Sequence, residues 1–384
     1  MTAPDQVRSA FRELAGHDPE GVWSSPGRVN LIGEHTDYND GYALPFGIPA
    51  RAWVAVARRD DRVLRMRSVQ RPGGDATVSV DGLAPGQLTG WPTYVAGVVW
   101  AARRAGVGVP GIDVLVDGRV PPGSGLSSSH ALECAVATAL NDLMDAGLDR
   151  NALARLSQVT ENEFVGAPTG MLDQMASLHA RRGHALFLDN RTLFVEQVPL
   201  DPASAGLRLV IVDTTVHHDN ADGAYGERRA TCERAAEVLG VPALRDVSLD
   251  DLADALDRLP DDEARRCVRH VVTEDQRVLD AVAALRSGDW PALAAAMDAS
   301  HASLREDYRV SSPELDVAVE TARDAGALGA RMTGAGFGGS TIAIVPEQRV
   351  AAVRDAVTRA FGERGWAEPV VGETEPGDGA RRDA

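Results

Sequence analysis

The sequence predicts a mixed α+β chain with a loose division near residues 180–205. Three observations predict it. Short apolar alternations have the two-residue period of strands, longer stretches carry apolar residues at three- and four-residue steps, and glycine-rich segments at 26–47, 121–129 and 333–339 punctuate both. The 384 residues leave room for two or three domains, and 44% hydrophobic with 25% charged residues is the composition of a globular protein with a large core.

In chain order, 51–57 and 112–116 alternate as strands. After Ser129, the spacing of Leu132, Val136, Leu140 and Leu143 predicts a helix, and 149–164 and 169–180 read as helices too. Residues 184–198 form a hairpin pattern around Asp189-Asn190-Arg191. Residues 207–212 read as a strand, followed by helical patterns over 224–239, 262–287 and 290–304. Pro313 opens a further helix behind Ser311 and Ser312, a usual capping arrangement. The last glycine cluster runs into a strand at 341–345, and Pro346 introduces a helix whose Val350, Val353, Val357 and Phe361 share one face. The expected units are 1–180, 181–373 and a polar, flexible tail over 374–384.

Composition excludes several classes of function. A net charge of −17, with most of the excess after residue 180, repels phosphate backbones and anionic lipid, so neither nucleic acid nor a membrane surface is an expected partner. The longest apolar run, Tyr94 to Ala102, is nine residues, against about 20 for a spanning helix. The start, Met-Thr-Ala-Pro-Asp-Gln, has no basic patch followed by an apolar stretch, so a cytoplasmic protein is expected; a monomer is the default, with an oligomer left open. Cys134, Cys232 and Cys267 are far apart in sequence and read as buried small hydrophobes. All 39 basic residues are arginine. Without lysine there is no P-loop lysine, no protein-kinase strand lysine and no Schiff base, so any ATP chemistry must take another route.

Three segments carry candidate chemistry. Pro121-Pro122-Gly123-Ser124-Gly125-Leu126-Ser127-Ser128-Ser129 lies between a strand and a helix. A glycine loop feeding a helix N-terminus leaves backbone N–H groups free for an anion, and the serine hydroxyls add donors or Mg²⁺ ligands; a tight turn with serine capping is the plainer alternative. Residues 27–41, GRVNLIGEHTDYNDG, gather Arg28, Asn30, Glu34, His35, Asp37 and Asn39 on a backbone kinked by glycines, a set suited to sugar hydroxyls that donate and accept together. The apolar Val29, Leu31, Ile32, Leu44 and Phe46 should anchor that loop against a core. Residues 332–339, MTGAGFGG, fit a backbone that must approach another backbone or a ligand closely. In GAPTGMLDQ, 166–174, Asp173 lies early in a helical pattern, and Glu161 lies on the preceding helix; on local evidence neither stands out from an ordinary helix-dipole partner. The acidic stretch 246–263 wraps around a helix as a solvated face, and the His217-His218 pair lacks metal-ligand spacing.

The three glycine motifs, in this order, resemble those of the GHMP small-molecule kinases, and 27–41 resembles the galactokinase signature. The similarity continues through most of the chain, and His-Thr-Asp-Tyr-Asn is closer to galactose kinases than to their N-acetylgalactosamine relatives. The resemblance implies an N-terminal ribosomal-S5-like domain, a C-terminal ferredoxin-like domain, and galactose, ATP and Mg²⁺ between them. It implies that Asp173 is the catalytic aspartate with Arg28 beside it, and that Glu34, His35, Asp37, Gly170 and Tyr225 contact sugar. It also implies that Gly123, Ser124, Gly125, Leu126, Ser127, Ser128 and Ser129 form the phosphate loop, with Ser129 and Glu161 as Mg²⁺ ligands. Two positions depart from the family pattern: His130 stands where alanine is usual, and Ser340 where cysteine is common. Two alternatives remain at this stage, a kinase for another hexose and a galactose- and ATP-binding sensor. The joint presence of Arg28, Ser129, Glu161 and Asp173 argues for turnover.

Overall fold

The structure, a computed structural model, describes residues 2–217 and 221–384. The side chains of the His217-His218 pair lie outside the described residues. The first half runs α1 (Ala3–Ala15), β1 (Gly21–Asn30), β2 (Tyr42–Ala43), β3 (Pro45–Arg59), β4 (Val63–Ser68), β5 (Ala76–Ser79), α2 (Trp91–Arg104), β6 (Gly111–Gly118), α3 (Ser128–Leu143), α4 (Arg150–Val159), α5 (Leu172–His179), β7 (His184–Asp189) and β8 (Phe194–Pro199). The second runs β9 (Leu207–His217), α6 (Ala221–Leu239), α7 (Leu252–Arg258), α8 (Asp262–Ser287), α9 (Trp290–Ser303), α10 (Pro313–Asp324), β10 (Gly329–Thr333), β11 (Gly338–Pro346), α11 (Val350–Glu363), β12 (Val370–Thr374) and β13 (Arg381–Arg382).

Three sheets organise these elements, in strand orders β13-β1-β3-β6-β4-β5, β2-β7-β8 and β10-β11-β9-β12. Strand β1 is buried along its whole length. Its ladder with β3 slips between Pro26 and Arg28, and a Cβ at Gly27 would collide with the Leu126 carbonyl. The glycine therefore lets β1 lie directly against the 121–129 loop, and the slip re-aims Arg28 at the end of the strand. On the last sheet, Val353, Val357 and Phe361 of α11 pack with Val210, Val212 and Val345, as the spacing predicts. Leu293, Met297, Ile342 and Ile344 join the larger core that also holds Val54, Val114 and Val136, so one apolar mass runs through both halves.

Across the expected division at residue 180 the β7–β8 hairpin pairs with β2 and buries Ala185, Leu188 and Val198 in that common core. The tail over 374–384 is not free. Trp23 pairs with Arg382 and Ser24 with Arg381, while Gly377, Gly379 and Ala380 donate to the carbonyls of Gly47, Ala180 and Ser177 at 2.7–2.9 Å. Its glycines look like disorder in the sequence, yet a Cβ at Gly379 would strike the Leu178 carbonyl, so they serve close approach. The 149–164 helix also ends early, in a single π turn over Thr160–Val165, and the next helix starts at Leu172 rather than 169.

Candidate active site

A cavity of about 700 Å³ opens between the end of β1 with its following loop, the start of α3, the 165–173 segment, α6 and the 334–335 turn. Arg28, Glu34, His35, Asp37, Ser129, Glu161, Gly170, Asp173 and Tyr225 all line it, together with Asn30 and His130. Residues separated by up to about three hundred positions thus meet as the three motifs imply. The polar loop is anchored as expected: Val29, Leu31, Ile32, Leu44 and Phe46 are all fully buried beneath it.

At its floor Arg28 and Asp173 form a two-pronged pair, Nε donating to Oδ1 at 2.7 Å and Nη2 to Oδ2 at 2.8 Å. Arg28 Nη1 also donates to the Gly125 carbonyl at 2.5 Å, which fixes the fork against the glycine loop. Ser127 donates to Asp173 Oδ2 at 2.9 Å. To do so it takes a left-handed backbone, φ 65°, and its hydroxyl does not cap α3. Strain is thus held at the first helical turn and spent on orienting Asp173, not on capping the helix. Burial pushes the Asp173 carboxyl up, but Arg28, the nearby His130 and the Ser127 hydrogen bond outweigh it and hold the group below the usual carboxylate range.

Asp37 faces the same space with the opposite balance. Burial, followed by the Asp173 charge, raises it to about 6. Any Cβ at Gly170 would occupy the position of the Asp37 carboxylate, so glycine is required there by space and not by backbone angle. Tyr225 is raised well above its ordinary value by burial and by Asp37, and remains a neutral hydroxyl donor. Glu34 is 3% exposed. Asn30 Nδ2 donates to its Oε2 at 2.8 Å, Arg331 Nη2 lies 2.5 Å from the same oxygen, and the Gly334 N–H donates to Oε1 at 2.9 Å with the Thr333 hydroxyl 3.2 Å away. His35 spends both ring nitrogens on the protein, Nε2 donating to Ala335 O at 3.1 Å and Nδ1 accepting from Tyr38 at 2.8 Å. Glu34 and His35 therefore shape and brace the pocket, while Asp37 and Tyr225 offer it freer polar groups.

The phosphate-loop residues divide. Ser124 is buried, donates to Pro121 O at 2.8 Å and accepts at its own carbonyl from Ser340 at 2.7 Å; Leu126 is 5% exposed in the core. Their side chains turn inward, leaving backbone as their contribution to an anion. Gly123 is exposed, and Ser127, Ser128 and Ser129 are half-buried at the start of α3. The third glycine cluster packs on this loop: Cβ atoms at Gly334 and Gly339 would lie 3.0 and 3.3 Å from the Gly125 and Ser124 carbonyls. Close backbone approach, expected from the glycines, is what the cluster provides. Ser340, which stands where cysteine is common, supplies one of the hydrogen bonds that join the two loops.

Behind the loop lies an acidic group suited to a divalent cation. Glu133 is fully buried, no donor group reaches either carboxyl oxygen, and its nearest polar neighbour is the Glu161 carboxyl. Burial and the neighbouring Glu161 push it well above the usual range. Ligand atoms of His130, Glu133 and Glu161 lie within 4.8 Å of one another, with the Ser129 hydroxyl 3.2 Å from His130 Nδ1. Orphaned buried carboxyl oxygens beside a second carboxylate are what a hard or borderline cation would satisfy, so the residues present fit a divalent metal. Glu133 was missed in the sequence because a single acid in an apolar helix carries no spacing signal. Arg331, Glu274 and Tyr308, which brace Glu34 and His35 from distant elements, gave no signal either.

The fold and the cavity define a small-molecule kinase of the GHMP type. The family models "GHMP kinases N terminal domain" and "GHMP kinases C terminal" match residues 93–181 and 281–363, and the expected S5-like and ferredoxin-like pair is this architecture. Residues 9–58 match the "Galactokinase galactose-binding signature". The chain is 54% identical to the galactokinase of Streptomyces coelicolor, over 98% of this chain and 97% of that one. It is 46% identical to the galactokinase of Mycobacterium tuberculosis, over 93% and 98%. Its structure superposes on Lactococcus lactis galactokinase complexed with galactose with a TM-score of 0.94 at 34% identity, covering 99% and 100% of the two chains. A mevalonate kinase at 15% identity and a TM-score of 0.65 shares the fold alone. The chain belongs to the galactokinase family.

Proposed function

We propose that this protein transfers the γ-phosphoryl group of ATP to the C1 hydroxyl of α-D-galactose, giving galactose 1-phosphate. The observation that carries the reading is the forked Arg28–Asp173 pair, set where the galactose-signature loop meets the start of α3. A sugar hydroxyl is a weak nucleophile, and phosphoryl transfer depends chiefly on positioning and on charge stabilisation. Asp173, held ionised by Arg28, accepts the C1 proton as that oxygen attacks the γ-phosphorus. Arg28 stabilises the negative charge that develops beside it. Asp37 and Tyr225 hold hydroxyls on the C3–C4 side, and the Glu34 and His35 network keeps that wall in place. The phosphates take backbone N–H groups of the 123–129 loop and the positive end of the α3 dipole, a route that needs no lysine.

Mg²⁺ accompanies ATP in this reading, with Ser129 and Glu161 as its ligands and Glu133 close enough to support them. When bound it neutralises phosphate charge in a cavity already carrying several carboxyls. The reaction is placed in the cytoplasm, where ATP is supplied, and the three free buried thiols accord with a reducing compartment.

The deciding experiment is ADP release from Mg-ATP with galactose, with N-acetylgalactosamine, glucose and mevalonate in parallel. Turnover with galactose, with the others far behind, is expected. Asp173→Asn should lower kcat by about 10²–10⁴-fold, the usual range for removing a general base, while calorimetry still detects galactose binding. Near-normal turnover in that variant would remove Asp173 from the mechanism, and binding without ADP release in the unaltered protein would leave a sensor.

A further inference from the structure

We propose that His130, Glu133 and Glu161 form a preformed site for a divalent transition-metal ion such as Mn²⁺, Co²⁺ or Zn²⁺, occupied without nucleotide. His130 and Glu133 are three residues apart in the first turns of α3, so both project from one helix face. Glu161 comes from the opposite side, on the π turn that interrupts the end of α4; such turns commonly displace a side chain toward a functional site. All three are more than nine-tenths buried, at 6%, 0% and 3% exposure. His130 Nε2 lies 3.4 Å from Glu161 Oε1. No hydrogen-bond donor reaches that nitrogen or either Glu133 oxygen, the Glu133 carboxyl faces that of Glu161, and one ligand atom from each of the three residues lies within 4.8 Å of the others.

The other edge of the ring settles which nitrogen is free. Nδ1 lies 2.9 Å from Ser127 Oγ, 3.2 Å from Ser129 Oγ and 3.3 Å from Asp173 Oδ2. A proton on Nδ1 serves that side and leaves the Nε2 lone pair facing the two carboxyls. Ligating histidines characteristically have this arrangement, one nitrogen on the metal and the other N–H given to a carboxylate or hydroxyl. One imidazole nitrogen with two carboxylates is a donor set for Mn²⁺, Co²⁺ or Zn²⁺, whereas Mg²⁺ prefers oxygen throughout. The site shares Glu161 with the proposed Mg²⁺ position, but it needs neither ATP nor phosphoryl transfer, and it would tie a bound ion to Asp173 through a single ring. Its rival is a cation-free cluster in which His130 bridges Asp173 and Glu161 while Glu133 shares a proton with Glu161.

The test is Mn²⁺ titration of the full-length, chelator-stripped protein without nucleotide, followed by electron paramagnetic resonance. One saturable ion per chain is expected, with a directly bound ¹⁴N coupling in the pulsed spectrum and Mg²⁺ binding at least about tenfold more weakly. His130→Ala should abolish the ¹⁴N coupling, and it and the isosteric Glu133→Gln should each weaken Mn²⁺ by about tenfold or more. No bound Mn²⁺, an ion without nitrogen coupling, or unchanged affinity in both variants would overturn the site in favour of the cation-free cluster. The nitrogen reading needs no variant, so a folding defect cannot obscure it. Mg-ATP turnover of galactose by the unaltered protein tests the kinase reading separately and is independent of this result.

Discussion

Asp37 and Asp173 look into one cavity and are pushed apart, one upward to about 6 and the other below its ordinary value. The difference is the counter-charge: Asp173 has the Arg28 fork, whereas burial dominates at Asp37. Groups separated in this way divide the work, and here the lower one suits the base and the higher one a hydrogen-bond acceptor for sugar. The pH dependence follows. Above about pH 6 Asp37 is ionised; as pH falls through that value it takes a proton and loses its strength as an acceptor, while Asp173 stays ionised. The kcat/KM for galactose should therefore fall below about pH 6, approaching tenfold per unit, and Asp37→Asn should flatten that limb. The variant should also sit roughly tenfold to a hundredfold lower at neutral pH, the worth of a hydrogen bond to a charged group. For stability the sign is opposite: an upward-shifted carboxyl costs least when protonated, so its contribution improves as pH falls from about 6 toward 4. Gly170→Ala tests the same carboxylate sterically, because the added methyl takes its place. It should raise the galactose KM about tenfold or more with the ATP KM within about twofold, and equal changes in both would refute a role confined to the sugar.

At the scale of elements, legibility followed packing. Helices with one apolar face, such as α10 and α11, were readable because solvent on the other side preserves the period. Strand β1 was not. It is buried on both faces, and Ser24, Ser25 and Arg28 within it are satisfied by partners far away in sequence, so alternation vanishes. The segment that closes on β13 misled for a related reason: Arg381 and Arg382 pair with that buried strand and Asp383 accepts from Ser24, while Gly377 and Gly379 ahead of them donate to the Gly47 and Ala180 carbonyls. Arg51 shows how tightly. Its guanidinium is 6% exposed, Nε donates to Ser24 Oγ at 2.8 Å, and Nη1 and Nη2 donate to the carbonyls of Asp378 and Gly379 at 2.5 and 2.8 Å. Burial pushes Arg51 down to about 10, so it remains charged at neutral pH. Deleting residues 376–384 leaves that charge without half of its acceptors, and removing one partner of a buried charge costs about 3–5 kcal/mol. Denaturant unfolding should show a loss of that order. A truncation within about 0.5 kcal/mol of the full chain would mean that the tail is only laid on the surface.

Across the whole molecule the sugar loop is held by elements that sequence could not connect to it. Arg331 on β10, fully buried, reaches Glu34 at 2.5 Å and lies 3.3 Å from the Leu31 carbonyl. Glu274 on α8 accepts from the Gly33 N–H at 3.0 Å and from Ser300 of α9 at 2.6 Å, with Arg277 donating at 2.7 Å. Burial drives Glu274 up, but Arg277, His270 and Arg331 outweigh it and bring it to about 2. His270 Nε2 adds a bond to the Glu34 carbonyl at 3.1 Å. The glycine motifs were legible because local backbone demands leave a local mark, whereas this frame depends on pairs about 240 to 300 residues apart and leaves none. Its charges nearly cancel only as a set. Arg331→Met leaves Glu34 buried without its counter-charge and should cost about 3–5 kcal/mol. Glu34→Gln leaves the guanidinium only the more distant Glu274 carboxylate, 3.9 Å away, and should also destabilise. The double variant removes both charges, so it should recover part of the summed loss, giving a coupling of about 1–3 kcal/mol in a denaturant cycle. The galactose KM should rise in Arg331→Met while the ATP KM changes little, since the guanidinium acts on sugar only through Glu34. Additive losses in the cycle would mean that the two residues stabilise the fold separately, and that β10 does not set the position of the sugar loop.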